Sequence, residues 1–326
     1  MSLSKSEIYD PGLEERIMYG KAYEKVKQSK STNVLKEEDF KDIYPEQEIQ
    51  NDIQYAAKLQ GKFDEHNANE ETGIEAENVK KAQVLEHIII EQSELQDWFG
   101  ENAVTFKATR HDDIHNKIDM IVEFEEVSES TEDAIKELSH LGLAIDITFS
   151  KDVDKKFEKI KEEIKSGHLS EAKYFRSERA GAKKLEHLPR VVIACSQKTL
   201  RDLTEKWLEG DKTSLEKHIF QLQMLEEISM QLKVYEEYAR VVVKNEETAA
   251  IYRHYYQLVN KIRLERKKKF PDYDGAMYDE SFDAMDNTLK LLFRDEIGVV
   301  APKKSASELY REQERRKAER AANKAA

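Results

Sequence analysis

The chain carries one cysteine, Cys195, among its 326 residues. A lone thiol excludes an internal disulfide framework and a cysteine-rich zinc module. Five prolines and eleven glycines are few for this length. With turn-formers scarce and Glu, Lys, Ala and Leu abundant, the composition predicts long helices. No apolar run approaches the roughly 18 to 20 residues of a membrane-spanning helix; Ile88-Ile89-Ile90 stops after a few positions. The opening Met-Ser-Leu-Ser-Lys-Ser-Glu lacks the apolar centre of a signal peptide. The expected setting is therefore a reducing cytoplasm. Positive charge is also in deficit, with 53 Lys and Arg against 66 Asp and Glu and a net charge of −13. That balance argues against coating nucleic acid by charge alone, while leaving room for a local basic groove.

What is present falls into four stretches. Residues 1–75 read as a polar helical extension and linker, with few apolar side chains between Lys62 and Glu77. Residues 76–210 read as an α/β unit. A helix from about residue 76 to Phe99 carries Val84, Ile88, Leu95 and Trp98 at helical spacing, and Gly100 is placed to stop it. Alternation then predicts strands over Ala103–Thr109, Lys117–Phe124 and Leu143–Phe149, with a short helix at Thr131–Leu141 between the last two. A helix follows from Ser150 to Ser166, then a short extended piece at Lys173–Phe175. A β-branched strand at Arg190–Cys195 leads into a helix through Leu200, Leu203 and Trp207. Residues 211–300 read as further helices, and residues 301–326 as a charged tail with almost no apolar side.

Three acids stand where apolar residues are expected: Glu91 in its helix stripe, Asp119 in the second strand and Asp146 in the third. A carboxylate embedded in a hydrophobic element costs several kcal/mol unless compensated. Mg²⁺ or Mn²⁺ is a suitable compensation, because hard cations take carboxylate oxygens, waters and a substrate phosphate. The rival reading of Asp119 and Asp146, taken singly, is a solvent-facing position on the strand.

With these acids in this order of elements, the chain resembles the PD-(D/E)xK nuclease superfamily over about residues 80–208. The resemblance implies a restriction-endonuclease-like core, helix-strand-strand-strand-helix-strand, carrying helical extensions at both ends. It implies that Asp119 is the motif's first Asp, that Asp146-Ile147-Thr148 stands for the acidic-x-Lys triplet, and that Glu91, or as second choice Glu86, is the helix acid. Thr148 replaces the motif lysine. Lys107 is the first candidate to relocate it, since alternation puts it opposite Phe106 on a polar side; Lys151 and Lys173 are the others. The implied activity is metal-assisted hydrolysis of phosphodiester bonds in DNA or RNA, with Asp119 and Asp146 holding Mg²⁺ or Mn²⁺. The missing lysine leaves an alternative, an inactive nuclease-fold protein acting as a nucleic-acid-binding or structural scaffold.

Asp113, in the His111–His115 segment before the second strand, is either a further metal ligand or part of an Asp-rich turn. A zinc reading of His111 and His115 needs a helix, and the segment reads as a loop. Cys195 reads as core. Lys261, Arg263, Arg266, Lys267, Lys268 and Lys269 end a helix before Pro271. They either contact nucleic-acid phosphates or complement the helix dipole.

Overall fold

In the computed structural model, the described residues are 11–29, 33–68, 74–127, 136–146, 151–271 and 278–300. Three helices come first: α1 (Pro11–Gln28), α2 (Glu46–Ala68) and α3 (Ile74–Gln96). Strands β1 (Ala103–Lys107), β2 (Met120–Val127) and β3 (Lys136–Asp146) follow, then α4 (Lys151–Ser166). A hairpin of β4 (Ser170–Ser177) and β5 (Gly181–Leu188) precedes β6 (Arg190–Ala194). The remainder is helical: α5 (Gln197–Glu209), α6 (Lys212–Glu216), α7 (Phe220–Tyr238), α8 (Glu246–Lys267), α9 (Glu280–Leu289) and α10 (Asp295–Val300).

The main sheet has the order β1-β2-β3-β6. β1 to β3 are antiparallel neighbours, and β6 returns parallel to β3. One face packs Met120, Val122 and Phe124 against Ile88 and Ile89 of α3 and a broad helical core that includes Leu225, Ile228 and Tyr235 of α7. The other face packs Phe106, Ile118 and Ile121 against Phe175 and Leu188 of the hairpin. Burying both faces requires this hairpin, a second sheet of which the sequence announces only the extended piece Lys173–Phe175.

The sheet's two edges are closed in different ways. At β6, Gln231 of α7 accepts from Val192 N at 2.8 Å and donates to Val192 O at 2.6 Å. Glu227, one turn earlier, accepts from Ala194 N at 3.1 Å. Helix side chains thus serve as the missing strand on an edge that would otherwise template association. At β1, Thr105 N donates to Glu94 Oε1 at 2.9 Å, and residues 33–35 bond both backbone groups of Lys107.

Several expectations need correction. The helix expected at Thr131–Leu141 is instead the start of β3 from Lys136 onward, because pairing with β2 overrides the local helical spacing. Residues 128–135 and 147–150, including Thr148, lie outside the described residues. The linker expected at Lys62–Glu77 is helical on both sides, with α2 reaching Ala68 and α3 starting at Ile74. The expected loop at His111–His115 contains a helical turn over Asp112–Asn116, closed by Lys117 in the left-handed region at φ 60°. The tail at 301–326 also lies outside the described residues. Tyr19 and Ala22 of α1 join the same hydrophobic cluster as α3 and α7.

Candidate active site

β1 ends at Lys107 and β2 begins at Met120, its pairing partner, so Asp119 sits at the mouth of the strand rather than within it. The backbone still holds Asp119 in place, its carbonyl accepting from Ala108 N at 3.1 Å. The turn between the strands is anchored by Asp112, which is fully buried. Its carboxylate accepts from Thr109 Oγ1 at 3.0 Å and Asn116 Nδ2 at 2.7 Å. It also accepts from the backbone N–H groups of Lys173 at 2.8 Å and Tyr174 at 3.0 Å. Four donors on one carboxylate make Asp112 a structural hub that ties the turn to β4. Its neighbour Asp113 is thereby turned outward, toward Asp119.

Lys107, Glu86, Asp113 and Asp119 form one electrostatic cluster. Lys107 Nζ lies 2.8 Å from Glu86 Oε2. The Asp113 and Asp119 carboxyls are within hydrogen-bonding reach of each other. Crowding by protein atoms, then the Asp119 and Glu86 charges, push the Asp113 carboxyl up to about 8, with Lys107 pulling it back. Asp113 as a residue is exposed, so the neighbouring carboxylates are the firmer of these causes. Burial raises Glu86 as well, against the pull of Lys107. Burial alone would lower Lys107, but Glu86, Asp113 and Asp119 outweigh it and hold its ammonium above the usual lysine range. Lys156 of α4 adds a second cation acting on Glu86.

The helix acid that joins this cluster is Glu86, the second choice of the sequence reading. Glu91 is five positions on, about 140° around the helix. It accepts from Trp207 Nε1 and from Gln92 Nε2 instead. The misplacement has a simple origin. Leu95, counted in the apolar stripe, is 55% exposed, and the buried face runs through Val84, Leu85, Ile88, Ile89 and Gln92. The signal that could have chosen Glu86 is a basic partner across the packing, and only the fold supplies that.

Asp146 is the last residue of β3, beside Ala194 of β6. Since Met120 pairs with Leu143, the backbone brings Asp119 and Asp146 to the same end of the sheet. The Asp146 side chain is outside the described set. Among the described residues searched, no group of three or more His, Cys, Asp or Glu is arranged to hold a metal ion. The described acids nevertheless suit a cation chemically. Glu86, Asp113 and Asp119 carry three potential negative charges against the cations of Lys107 and, acting on Glu86, Lys156, and the displaced titration of Asp113 expresses that excess.

The remaining candidates lie elsewhere. His111 and His115 stack with ring centroids 5.2 Å apart, and His111 Nδ1 is 3.9 Å from Asp52 Oδ1. Lys173 pairs with Asp52 and Glu48, both at 2.5 Å, and is committed there. Of the basic run, Arg263 binds Glu226 and Asn260, and Arg266 is buried and donates to Gln96 O at 3.3 Å. Lys261, Lys267, Lys268 and Lys269 are exposed. Cys195 is buried, as expected of a core thiol, and its surroundings raise its pKa well above the ordinary value. Among the described residues, no helix is long and apolar enough to cross a membrane.

No family model, curated protein or solved structure matches the chain. The functional reading therefore rests on the cluster itself.

Proposed function

We propose that this chain is a metal-dependent nuclease-like protein that hydrolyses phosphodiester bonds in DNA or RNA, built on a restriction-endonuclease-like core. The observation that carries the reading is Lys107. A lysine held in its ammonium form by Glu86 stands beside the Asp113–Asp119 pair, at the end of the sheet where β3 delivers Asp146. The order α3-β1-β2-β3-α4, hairpin, β6-α5, with β6 parallel to β3, fits that core with one hairpin inserted.

In this reading Asp119 and Asp146 would hold Mg²⁺ or Mn²⁺, with Asp113 as the adjoining acid. The ion, when bound, supplies Lewis-acid polarisation of the phosphate and a lowered pKa for the attacking water. Lys107 takes the place that Thr148 cannot fill: its ammonium steadies the nucleophile and the developing phosphate charge. Glu86 orients that ammonium. Lys156 offers a further positive charge to a substrate phosphate.

The inactive-scaffold reading draws on one observation, Thr148 in the place of the motif lysine. Incubation of single- and double-stranded DNA and RNA in Mn²⁺ separates the two. Cleavage that disappears in Asp119→Ala and Lys107→Ala supports the enzyme. Binding without cleavage on every substrate would leave the scaffold.

A further inference from the structure

At the β1 edge of the sheet, a cleft of about 970 Å³ opens between β1, the segment around Phe40 and the β4–β5 turn. Its walls include Phe40, Val104 and Phe106, and Glu123 of β2 lies at its floor. Glu123 is fully buried. Its Oε1 accepts from His140 Nε2 at 3.0 Å and from Ser177 Oγ at 2.8 Å. Its Oε2 is buried and has no hydrogen-bond partner. Burial opposes the charge, but the bonds from His140 and Ser177 and the nearby Arg179 hold Glu123 below the usual glutamate range. It is therefore an ionised acceptor with one oxygen unanswered, a costly arrangement unless something is to be bound.

Arg176, also lining the cleft, has a buried Nε without a partner, while its Nη2 is tied to Asp39 O at 2.9 Å and to Asp42. The cleft lining thus holds an unpaired acceptor and an unpaired donor, both buried, beside the apolar side chains of Val104 and Phe106. That is the complement of a planar heterocycle with donors on one edge and acceptors on the next. The charges narrow the choice: Asp39, Glu94, Glu123 and Glu178 outnumber Arg176 and Arg179 along the lining, which disfavours a free anion and favours a neutral base. Among the bases, guanine presents adjacent N–H donors to a carboxylate and the O6 and N7 acceptors to an arginine.

We propose that this cleft takes an unpaired guanine of a single-stranded nucleic acid, with Glu123 Oε2 accepting from its N–H edge and Arg176 Nε donating to its acceptor edge. The proposal rests on the nuclease-like reading above and gives that site a base preference. β1 links the two places, since Phe106 lines the cleft and Lys107, the next residue, is in the acid cluster on the other face. Arg176 and Arg179, which line the cleft, have side chains 39% and 33% exposed.

The test is fluorescence anisotropy in EDTA, where metal-dependent cleavage is silent. It uses labelled thymidine decamers with and without one central guanine. The expected result is about tenfold tighter binding of the guanine-containing strand, the loss expected when a buried charged acceptor goes unmet. Glu123→Gln and Arg176→Met should each abolish the preference while leaving binding of the thymidine strand unchanged. A second readout needs no variant: guanosine should raise the Tm of the wild-type protein, and adenosine, cytidine and uridine should not. Equal binding of both strands with no guanosine-specific shift would overturn the cleft, and so would a preference that survives in both variants. Cleavage in Mn²⁺ of the same decamers keeps the readings apart. Cutting without guanine preference sinks the cleft alone, and guanine binding without cutting sinks only the enzyme.

Discussion

Glu86 Oε2 and Lys107 Nζ are 2.8 Å apart, joining the middle of α3 to the last residue of β1. The pair brings a lysine from one element and an acid from another to the mouth of β2, where Asp119 and Asp113 meet. No sequence motif spans the pair, whose members stand 21 positions apart.

Exchange at this pair separates catalytic from structural acids. On the nuclease-like reading proposed above, Lys107→Met and Asp119→Ala should each lower the Mn²⁺-dependent cleavage rate by about 100-fold or more. Glu86→Gln should cost less, because the ammonium survives and only its placement loosens. Glu91→Ala should leave the rate within about twofold of wild type while lowering stability by roughly 1 to 2 kcal/mol, since its buried partner Trp207 Nε1 loses an acceptor. Equal losses in Glu86→Gln and Glu91→Ala would refute the assignment. Rates and urea midpoints measured on the same preparations decide it.

Asp112 should matter for folding. Asp112→Ala strands four donors, two of them backbone N–H groups of β4, and should cost about 3 kcal/mol or more. The hairpin should lose its docking first, so that amide exchange accelerates in β4 and β5 before it does in β6. Uniform acceleration across the sheet would show that Asp112 has no such local role.

Gln231 closes the β6 edge. Gln231→Ala removes an acceptor and a donor from Val192 and should cost roughly 2 kcal/mol. The exposed edge should also promote self-association, visible as a concentration-dependent rise in light scattering. Glu227→Gln should cost roughly 1 kcal/mol at pH 7, because the two Glu227 oxygens accept from Ala194 N and Gln223 Nε2 and an amide sets its own N–H against one of those donors.

The pH dependence of stability should bend in opposite senses at two neighbours. Asp279 is held below the ordinary carboxylate range: burial opposes this, but bonds from Ser281, Thr199, Gln223 and the Ser196 N–H prevail. Its contribution is complete above the unfolded value of about 3.9 and is lost as pH falls through the lower folded value. Glu227 is raised by burial, so the folded state keeps a proton that the unfolded chain releases. Its contribution is complete below about 4.3 and declines as pH rises toward the folded value. Asp279→Asn should flatten the acid limb of the urea-midpoint profile, and Glu227→Gln the alkaline one.

Much of this arrangement follows from local chemistry. The strand at Arg190 is legible because Val191, Val192 and Ile193 are β-branched, and the helix after it because Ser196 caps Thr199 N and Gly210 ends it in the left-handed region. Lys107 is legible as a polar-side lysine because alternation is a property of the strand itself. The acids Asp119 and Asp146 are legible as anomalies in apolar runs. Tertiary structure decided the rest. Residues 136–141 have helical spacing, yet the hydrogen bonds offered by β2 make them strand. β4 and β5 have too few apolar positions to announce a hairpin until the second face of the sheet needs covering. Glu86 displaced Glu91 because a helix acid acquires its role from what lies opposite, and one-dimensional periodicity fixes a face without saying what that face will meet.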